Sequence, residues 1–376
     1  TLFRSPDRPS APERSVSAGS ATAPEAARVW VDAWDPAYGA AFDAPSDAAV
    51  APSSAEVEAD VELPAAAWRP VTAPEGVRAP DVVLLVDGVR RNDASVWTTE
   101  PDGSSYPGLA ASYAAGVVRC DLRRGAAEVA AARVDRGLFT ASPSAPDLVA
   151  GPIRYPVRRG DGSGELSTLP AAVQRLLTAL EVAVSNAARH DGDLLVVDGP
   201  LRSRRQLPRT LGYVKTQQRQ YLDARLWSVV TSLRPGQRSP VFRLGTVWRG
   251  YSWYLRLPGW TGAPMSGLVR VECSDELDPS EAIELAHLSL VTLPRFASTP
   301  YKDPRAPQNL VPIAGLERRL RNLLGDARLL HRRLSTAAAR FGRAGAVADS
   351  GGPGAAAGLG RTDAAAGLAP RGAAGA

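Results

Sequence analysis

Two short apolar segments that end in the same dipeptide set the strongest limit on the fold. They are Val82-Val-Leu-Leu-Val86 followed by Asp87-Gly88, and Leu194-Leu-Val-Val197 followed by Asp198-Gly199. Continuous apolar runs of this length are typical of strands that are buried on both faces of a sheet. Between them, the segment Leu169–His190 carries an apolar stripe at helical spacing. The chain is therefore predicted to belong to the α/β class.

The remaining segments extend this pattern on both sides of the helix. Further strands are predicted at 94–99, 113–121, 211–216, 241–257 and 268–273, a loop at 140–165, and helices at 222–233, 281–293 and 316–341. The last-but-one helix opens with Asp278-Pro-Ser-Glu281, which is a capping box with proline at the first helical position. This order of elements is similar to a ribonuclease H-like fold, a mixed sheet flanked by helices.

Composition divides the chain into one domain and two tails. Residues 1–27 are rich in Ala, Ser and Pro and are predicted to form a disordered arm, and 342–376 a disordered Gly/Ala-rich tail. We expect one domain at 28–341 with its core at 80–335. The apolar patches at Arg28–Trp34 and Val57–Trp68 predict N-terminal strands, within 28–79, that pack on that core.

Charge and cysteine content narrow the class of function. Residues 1–80 hold 6 Arg against 12 acids, whereas residues 200–256 hold 11 Arg and one Lys against a single acid. A local basic excess of this size favours a polyanionic partner, with a solvated basic face as the alternative. Two cysteines exclude a disulfide framework and favour the cytoplasm, and no apolar run is long enough for a membrane span. Walker and dinucleotide-binding motifs are absent from the sequence.

Three acids are the candidate metal ligands. Asp87 and Asp198 end their strands, where α/β sheets bind ligands, although Asp-Gly is also ordinary turn chemistry. Glu181 lies on the apolar stripe of its helix, four residues after Leu177 and three before Val184. A carboxylate there is costly to bury unless it binds a metal or pairs with an arginine. Together these oxygens suit Mg²⁺ or Mn²⁺ in phosphodiester hydrolysis.

Two further residues are candidates for catalysis. Lys215 is one of only two lysines, and its ammonium group could neutralise a phosphate beside the acids; the alternative is a solvated lysine. His287 lies on the apolar face of its predicted helix. It is a candidate ligand, but a satisfied core histidine is the commoner case.

The basic segment after Asp198 also contains seven tyrosine and tryptophan residues. Cations that follow phosphates and rings that stack on bases make a single-strand binding surface, although most of these rings could belong to the core. The residues predicted to contact DNA are Arg202, Arg204, Arg205, Arg219, Arg249, Tyr251 and Tyr254.

With these residues in place, the chain resembles the NurA family of DNA-repair nucleases. The matching motifs are the two Asp-Gly strand ends, the helix that carries Glu181, Gly212-Tyr-Val-Lys-Thr216, and Ala286-His287. The segments Pro304–Ile313 and Gly315–Asp326 are similar to the C-terminal end of that family.

The resemblance implies a Mn²⁺- or Mg²⁺-dependent deoxyribonuclease with 5′-to-3′ exonuclease and single-strand endonuclease activity. It further implies a homodimer that acts in DNA end resection with a HerA-type hexameric translocase. Asp87, Glu181 and Asp198 would be ligands, His287 a further ligand or phosphate contact, and Lys215 the lysine after the middle strand. The alternatives are a catalytically silent DNA-binding or translocase-docking subunit, and a nuclease of the same fold that acts on RNA.

Overall fold

The computed structural model describes residues 55–159, 168–201, 204, 206–217, 219–245, 249–259 and 261–349, the last nine by their backbone alone. The predicted arm at 1–27, the apolar patch at Arg28–Trp34 and the tail from residue 350 lie outside these ranges.

The secondary structure comprises twelve named strands and five named α-helices in the described residues. The strands are β1 (Glu56–Glu58), β2 (Val82–Thr99), β3 (Ser105–Asp121), β4 (Ala126–Thr140), β5 (Leu148–Ala150), β6 (Ile153–Tyr155), β7 (Val157–Arg159), β8 (Leu194–Asp198), β9 (Thr210–Val214), β10 (Phe242–Gly245), β11 (Arg249–Arg256) and β12 (Leu268–Ser274). The helices are α1 (Leu169–Ala188), α2 (Ala224–Ser232), α3 (Pro279–Thr292), α4 (Val311–Leu323) and α5 (Ala327–Asp349).

One sheet of ten strands organises the described chain, in the order β1-β10-β11-β12-β9-β8-β2-β3-β4-β7. Its centre is β4-β3-β2-β8-β9. The strands β2, β3 and β4 form an antiparallel meander, and β8 and β9 then add in parallel on the other side of β2. This mixed arrangement, with α1 between the meander and the parallel pair, is ribonuclease H-like. The predicted fold class is confirmed.

The apolar segments 83–86 of β2 and 194–197 of β8 are buried on both faces because helices cover both faces of the sheet there. On one face, Leu84 and Val86 of β2 pack with Val173 and Leu177 of α1. On the other face, Val83 and Leu85 belong to the core formed with α3 and α4. Side chains on a strand alternate between faces, so the position of each residue along the strand decides which helix it meets. Asp87 therefore shares the face of α3 and α4, while Gly88 faces α1.

The meander differs from its prediction. β2 continues through Asp87-Gly88 to Thr99, pairing with β3 over its whole length, whereas the prediction ended one strand at Gly88 and began another at Ala94. β4 was not predicted, because its sequence is rich in Ala and also contains Glu, Asp and Gly, which do not favour strands. Pairing with β3 overrides that weak local preference. The segment predicted as a loop at 140–165 contains the short strands β5, β6 and β7.

The end of the described chain also differs from its prediction. One helix was predicted at 316–341, but the structure has two, and α4 ends before Gly325, whose φ of +81° suits a glycine after a helix. The backbone of α5 is helical to Asp349, past the predicted start of the disordered tail at 342. Among the described residues, every helix is too short or too polar to span a lipid bilayer.

Candidate active site

Three carboxylates converge beside the middle of the sheet. Asp87 comes from β2, Asp198 is the last residue of β8, and Glu317 comes from α4. One carboxylate oxygen from each lies within 4.8 Å of those of the other two, and all three residues are partly buried. Hard oxygen donors at this spacing fit the coordination shell of a divalent cation such as Mg²⁺ or Mn²⁺. We call these three residues the acid centre.

Strand pairing brings the two aspartates of the acid centre together. β2 and β8 run parallel, with Val86 opposite Val197, so the next residue on each strand points to the same face of the sheet. β8 ends at Asp198, and Gly199 turns the chain away with a φ of +102°. Asp87 therefore lies beside the carboxyl end of its parallel neighbour, although its own strand continues.

Glu317 reaches the aspartates because α4 lies very close to the sheet. Gly116 is directly opposite Asp87 on β3. A Cβ atom at Gly116 would come within 3.0 Å of Leu316 and 3.1 Å of Leu320, both on α4. A glycine at this position gives the helix the room to bring its next residue, Glu317, to the acid centre.

The like charges of the acid centre repel one another. Burial raises the pKa of Asp87 to about 8, and the negative charges of Asp198 and Glu317 add to that rise, against the attraction of Lys215. A carboxyl group with this pKa holds a proton at neutral pH when no cation is bound. At Asp87, therefore, burial and the like charges of Asp198 and Glu317 outweigh the attraction of Lys215.

Lys215 contacts the acid centre directly. It follows β9, and its Nζ donates to Oδ2 of Asp198 at 2.7 Å and to Oδ1 of Asn309 at 3.1 Å. The amide of Asn309 donates in turn to Asp303 at 2.5 Å. Asn309 was not among the predicted site residues, although it lies in the segment Pro304–Ile313 that carries part of the family resemblance. It holds the ammonium group of Lys215 beside Asp198.

Arginines surround the outer side of Glu317. Arg305 and Arg321 each place an Nη2 atom 3.4 Å from Oε2 of Glu317. Glu317 was not among the predicted ligands, although a signal was available. It follows Ile313 by four residues and precedes Leu320 by three, which is the relation of Glu181 to Leu177 and Val184.

Glu181, the predicted third ligand, does not belong to the acid centre. It lies on α1, which covers the opposite face of the sheet, and its Oε1 would be 2.5 Å from a Cβ atom at Gly88. Its buried carboxylate pairs with Arg204. Burial lowers the pKa of Arg204 to about 10 against the attraction of Asp87, so this guanidinium group interacts with acids from both faces. The salt bridge that the sequence left as an alternative is what the structure contains.

His287, the other predicted ligand, also lies apart from the acid centre. Both of its ring nitrogens are 3.2 Å from Nη2 of Arg238, which also pairs with Glu62 at 2.7 Å through Nη1. A guanidinium group against the ring is incompatible with a divalent cation there, because like charges repel. The prediction of His287 as a ligand is wrong, and it is a partnered structural residue.

The predicted DNA-binding residues divide into three groups. Tyr251 and Tyr254 are buried, and Tyr254 stacks on Phe242 with ring centroids 6.0 Å apart, so neither ring can stack on a base. Arg204 is buried against Glu181. Arg219 and Arg249 are exposed, whereas Arg202 and Arg205 lie outside the described residues. The two tyrosines and Arg204 are therefore removed from the predicted surface.

Part of the acidic N-terminal segment neutralises the basic strands. β1 pairs antiparallel with β10 at the sheet edge. Glu56 and Glu58 lie 3.2 Å from Arg249 and 2.9 Å from Arg243, respectively. Some of the opposite charges of the acidic N-terminal segment and the basic segment thus pair with each other within the protein.

No protein-family model and no curated protein matches the chain. Solved structures with which it can be aligned include the NurA nuclease from Sulfolobus solfataricus, at 12% identity and a TM-score of 0.39, over 69% of this chain and 86% of that one. They also include endonuclease V from Bacillus subtilis, at 14% identity and a TM-score of 0.32, over 67% and 86% of the two chains. Both TM-scores are low, and the ribonuclease H-like strand order and the acid centre are features of this chain's own strands and side chains.

Proposed function

We propose that this protein is a metal-dependent nuclease that hydrolyses phosphodiester bonds in DNA. The observation that carries the proposal is the acid centre with Lys215 beside it. Three carboxylates with oxygens within 4.8 Å of one another are costly to assemble without a cation, and the raised pKa of Asp87 is the sign of that cost.

Asp87, Asp198 and Glu317 would hold the ion, which when bound supplies charge for an attacking water and for the leaving oxygen. The ammonium group of Lys215 is placed to donate to a phosphate oxygen beside Asp198. Asn309 keeps Lys215 in that direction by accepting one of its hydrogen bonds. Burial of the surrounding strands limits water and strengthens these interactions.

The finer activity follows the resemblance seen in the sequence. It comprises single-strand endonuclease and 5′-to-3′ exonuclease activity on DNA ends, Mn²⁺ or Mg²⁺ as the ion, a homodimer, and a HerA-type translocase as partner in end resection. Arg219 and Arg249 are the described members of the predicted surface that are exposed, and Arg249 is also paired with Glu56 at 3.2 Å.

The test is cleavage of labelled single-stranded DNA by the full chain with Mn²⁺. Asp87→Ala should abolish cleavage. Asp81→Asn is the matched control, because this acid just before β2 has 63% of its side chain exposed and lies six residues, about 20 Å, from Asp87 along the strand. Cleavage that survives Asp87→Ala, or a well-folded wild type that does not cleave, would refute the proposal.

One observation favours a second function, a silent DNA-binding or translocase-docking subunit. Asp198 is paired with Lys215 at 2.7 Å and Glu181 with Arg204, so two of the predicted ligands already have cationic partners. A silent subunit would bind DNA in a salt-dependent manner that neutralising Asp87 does not reduce. In that case the wild-type protein would also bind Mn²⁺ no more tightly than the Asp87→Ala variant does.

A further inference from the structure

The loop between α3 and α4 presents an aromatic ring and a lysine to solvent. Tyr301 is 80% exposed, more than any other large hydrophobic residue of the described chain. Lys302, the second of only two lysines in the sequence, is exposed beside it, with its Nζ 5.4 Å from the ring centroid. An exposed ring next to a cation is the combination that binds a nucleobase and its phosphate.

The base of this loop is fixed to the acid centre. Asp303 accepts a hydrogen bond from Asn309, which binds Lys215, the partner of Asp198. Arg305, two residues further on, lies 3.4 Å from Glu317. Tyr301 precedes Asp303 by two residues, which span at most about 7 Å. Asp303 is the first of the hydrogen-bonded side chains that lead through Asn309 and Lys215 to Asp198.

Backbone contacts make the loop a stiff support. The amides of Lys302 and Asp303 both donate to the carbonyl of Thr299, at 2.9 and 3.1 Å. The hydroxyl of Tyr213, at the centre of the sheet, donates to the carbonyl of Gln308 at 2.5 Å. The ring of Tyr301 is therefore presented at a defined position and not on a free tail.

We infer that Tyr301 and Lys302 form a binding site for a single DNA strand, in which the Tyr301 ring stacks on a base and Lys302 contacts a phosphate. The inference rests on the proposed function and names the element that holds the strand next to the acid centre. Tyr301 and Lys302 bind substrate and take no part in the chemical step. Tyr301 takes the place of the buried Tyr251 and Tyr254 as the aromatic component of the surface.

The experiment measures binding of a labelled oligo(dT) strand to the full chain in EDTA, by fluorescence anisotropy over a range of salt. Tyr301→Ala should weaken binding about tenfold, and Tyr301→Phe should restore it, because stacking needs the ring alone. An abasic strand of equal length should bind wild type and Tyr301→Ala equally. Lys302→Gln should lower the slope of log K against log salt by about 0.7, the value for one phosphate contact on a single strand.

The matched control is Trp97→Ala. Trp97 is 68% exposed but lies ten residues along β2 from Asp87, about 30 Å away, so its loss should leave binding unchanged. Binding that is unaffected by Tyr301→Ala, or reduced equally for the abasic strand, overturns the inference. Because the assay contains no divalent ion, failed cleavage with intact Tyr301-dependent binding would refute the proposed nuclease alone. Normal cleavage with unaltered binding by Tyr301→Ala would refute this inference alone.

Discussion

Two polar clusters on the same face of the sheet differ in how far the charges within each are balanced. The acid centre places three carboxylates together, with Lys215 as the cation that contacts an aspartate. The second, which we call the Arg238 cluster, contains Glu62, Arg238 and His287, and its fully buried guanidinium group donates to both oxygens of Glu62. A buried cluster that matches its own charges is neutralised within the protein, whereas one that leaves like charges together is suited to an external cation.

The pKa values of the acids in the two clusters are shifted in opposite directions. In the Arg238 cluster, burial acts to raise the pKa of Glu62, but the hydrogen bond and charge of Arg238 outweigh it and the pKa is lowered. Burial, and then the charge of Arg238, lower the pKa of His287. In the acid centre, burial and charge repulsion act together and raise the pKa of Asp87. Removing the charge of Asp87 should therefore affect mainly metal binding, and removing that of Arg238 mainly stability.

The largest expected effect is on activity and metal binding, from Asp87→Asn. Removing one of three ligands should lower cleavage and Mn²⁺ affinity by more than about 100-fold, since even indirect supports of a metal site are worth 10- to 100-fold. Cleavage rates and titration calorimetry with Mn²⁺ measure the two effects. Glu62→Gln in the Arg238 cluster is the matched neutralisation, and the comparison fails if it reduces Mn²⁺ affinity as much.

Next is the stability effect of Arg238→Ala. Breaking a buried ion pair by removing one partner costs about 3–5 kcal/mol, because it leaves Glu62 and the surrounding polar groups without compensation. Urea denaturation in EDTA measures this free energy. The Mn²⁺ affinity of the folded variant should match that of wild type. A destabilisation below about 1 kcal/mol, the range of exposed surface ion pairs, would contradict this prediction.

A smaller effect is expected at the glycine that brings α4 to the acid centre. Gly116→Ala places a Cβ atom 3.0 Å from both Leu316 and the carbonyl oxygen of Ala131, so the helix must move by a few tenths of an ångström. Overpacking of this kind costs about 1–3 kcal/mol. We expect a lower melting temperature and weaker Mn²⁺ binding through displacement of Glu317. Gly315→Ala, on α4 with open space around it, is the control that should leave Mn²⁺ binding intact.

Only part of the acid centre could be predicted from the sequence. The repeated Val-Asp-Gly pattern was sufficient to expect Asp87 and Asp198 together, because buried parallel neighbours end at the same side of a sheet. Glu181 and Glu317 share one helical pattern, and the sequence alone could not say which helix covers the face to which Asp87 points. That depends on strand parity and on the close approach of α4 at Gly116, which are properties of the assembled sheet.

The burial of polar and aromatic residues was harder to predict. Tyr254 and Arg238 occur in a basic segment that is typical of a nucleic-acid surface, yet both are buried. Arg238 is compensated by Glu62, 176 residues earlier in the chain, and no local pattern reports a contact of that separation. The exposed ring of Tyr301 was missed for the opposite reason, since it lies in a loop outside the basic segment.

The last expected effect is a difference in the pH dependence of stability. The folded chain keeps a proton on Asp87 up to a pKa of about 8, whereas the unfolded chain loses it near the ordinary value of 3.8. The folded state thus binds more protons between these values, and its stability falls as pH rises through that window. His287 acts in the opposite sense, because its lowered pKa makes the unfolded state bind more protons near and below 6.5, so stability falls as pH drops there.

In EDTA, Asp87→Asn should therefore gain stability over wild type as pH rises from 6 to 8, with a slope of at most about 1.4 kcal/mol per pH unit. His287→Gln should gain relative to wild type only as pH falls from about 7 to 5, the range around the ordinary histidine pKa. Urea denaturation at each pH measures both. Saturating Mn²⁺ should remove the wild-type loss at high pH, because a bound cation takes the place of the proton on Asp87. Parallel pH profiles for wild type and Asp87→Asn in EDTA would show that the charges of the acid centre are compensated after all, and the contrast with the Arg238 cluster would disappear.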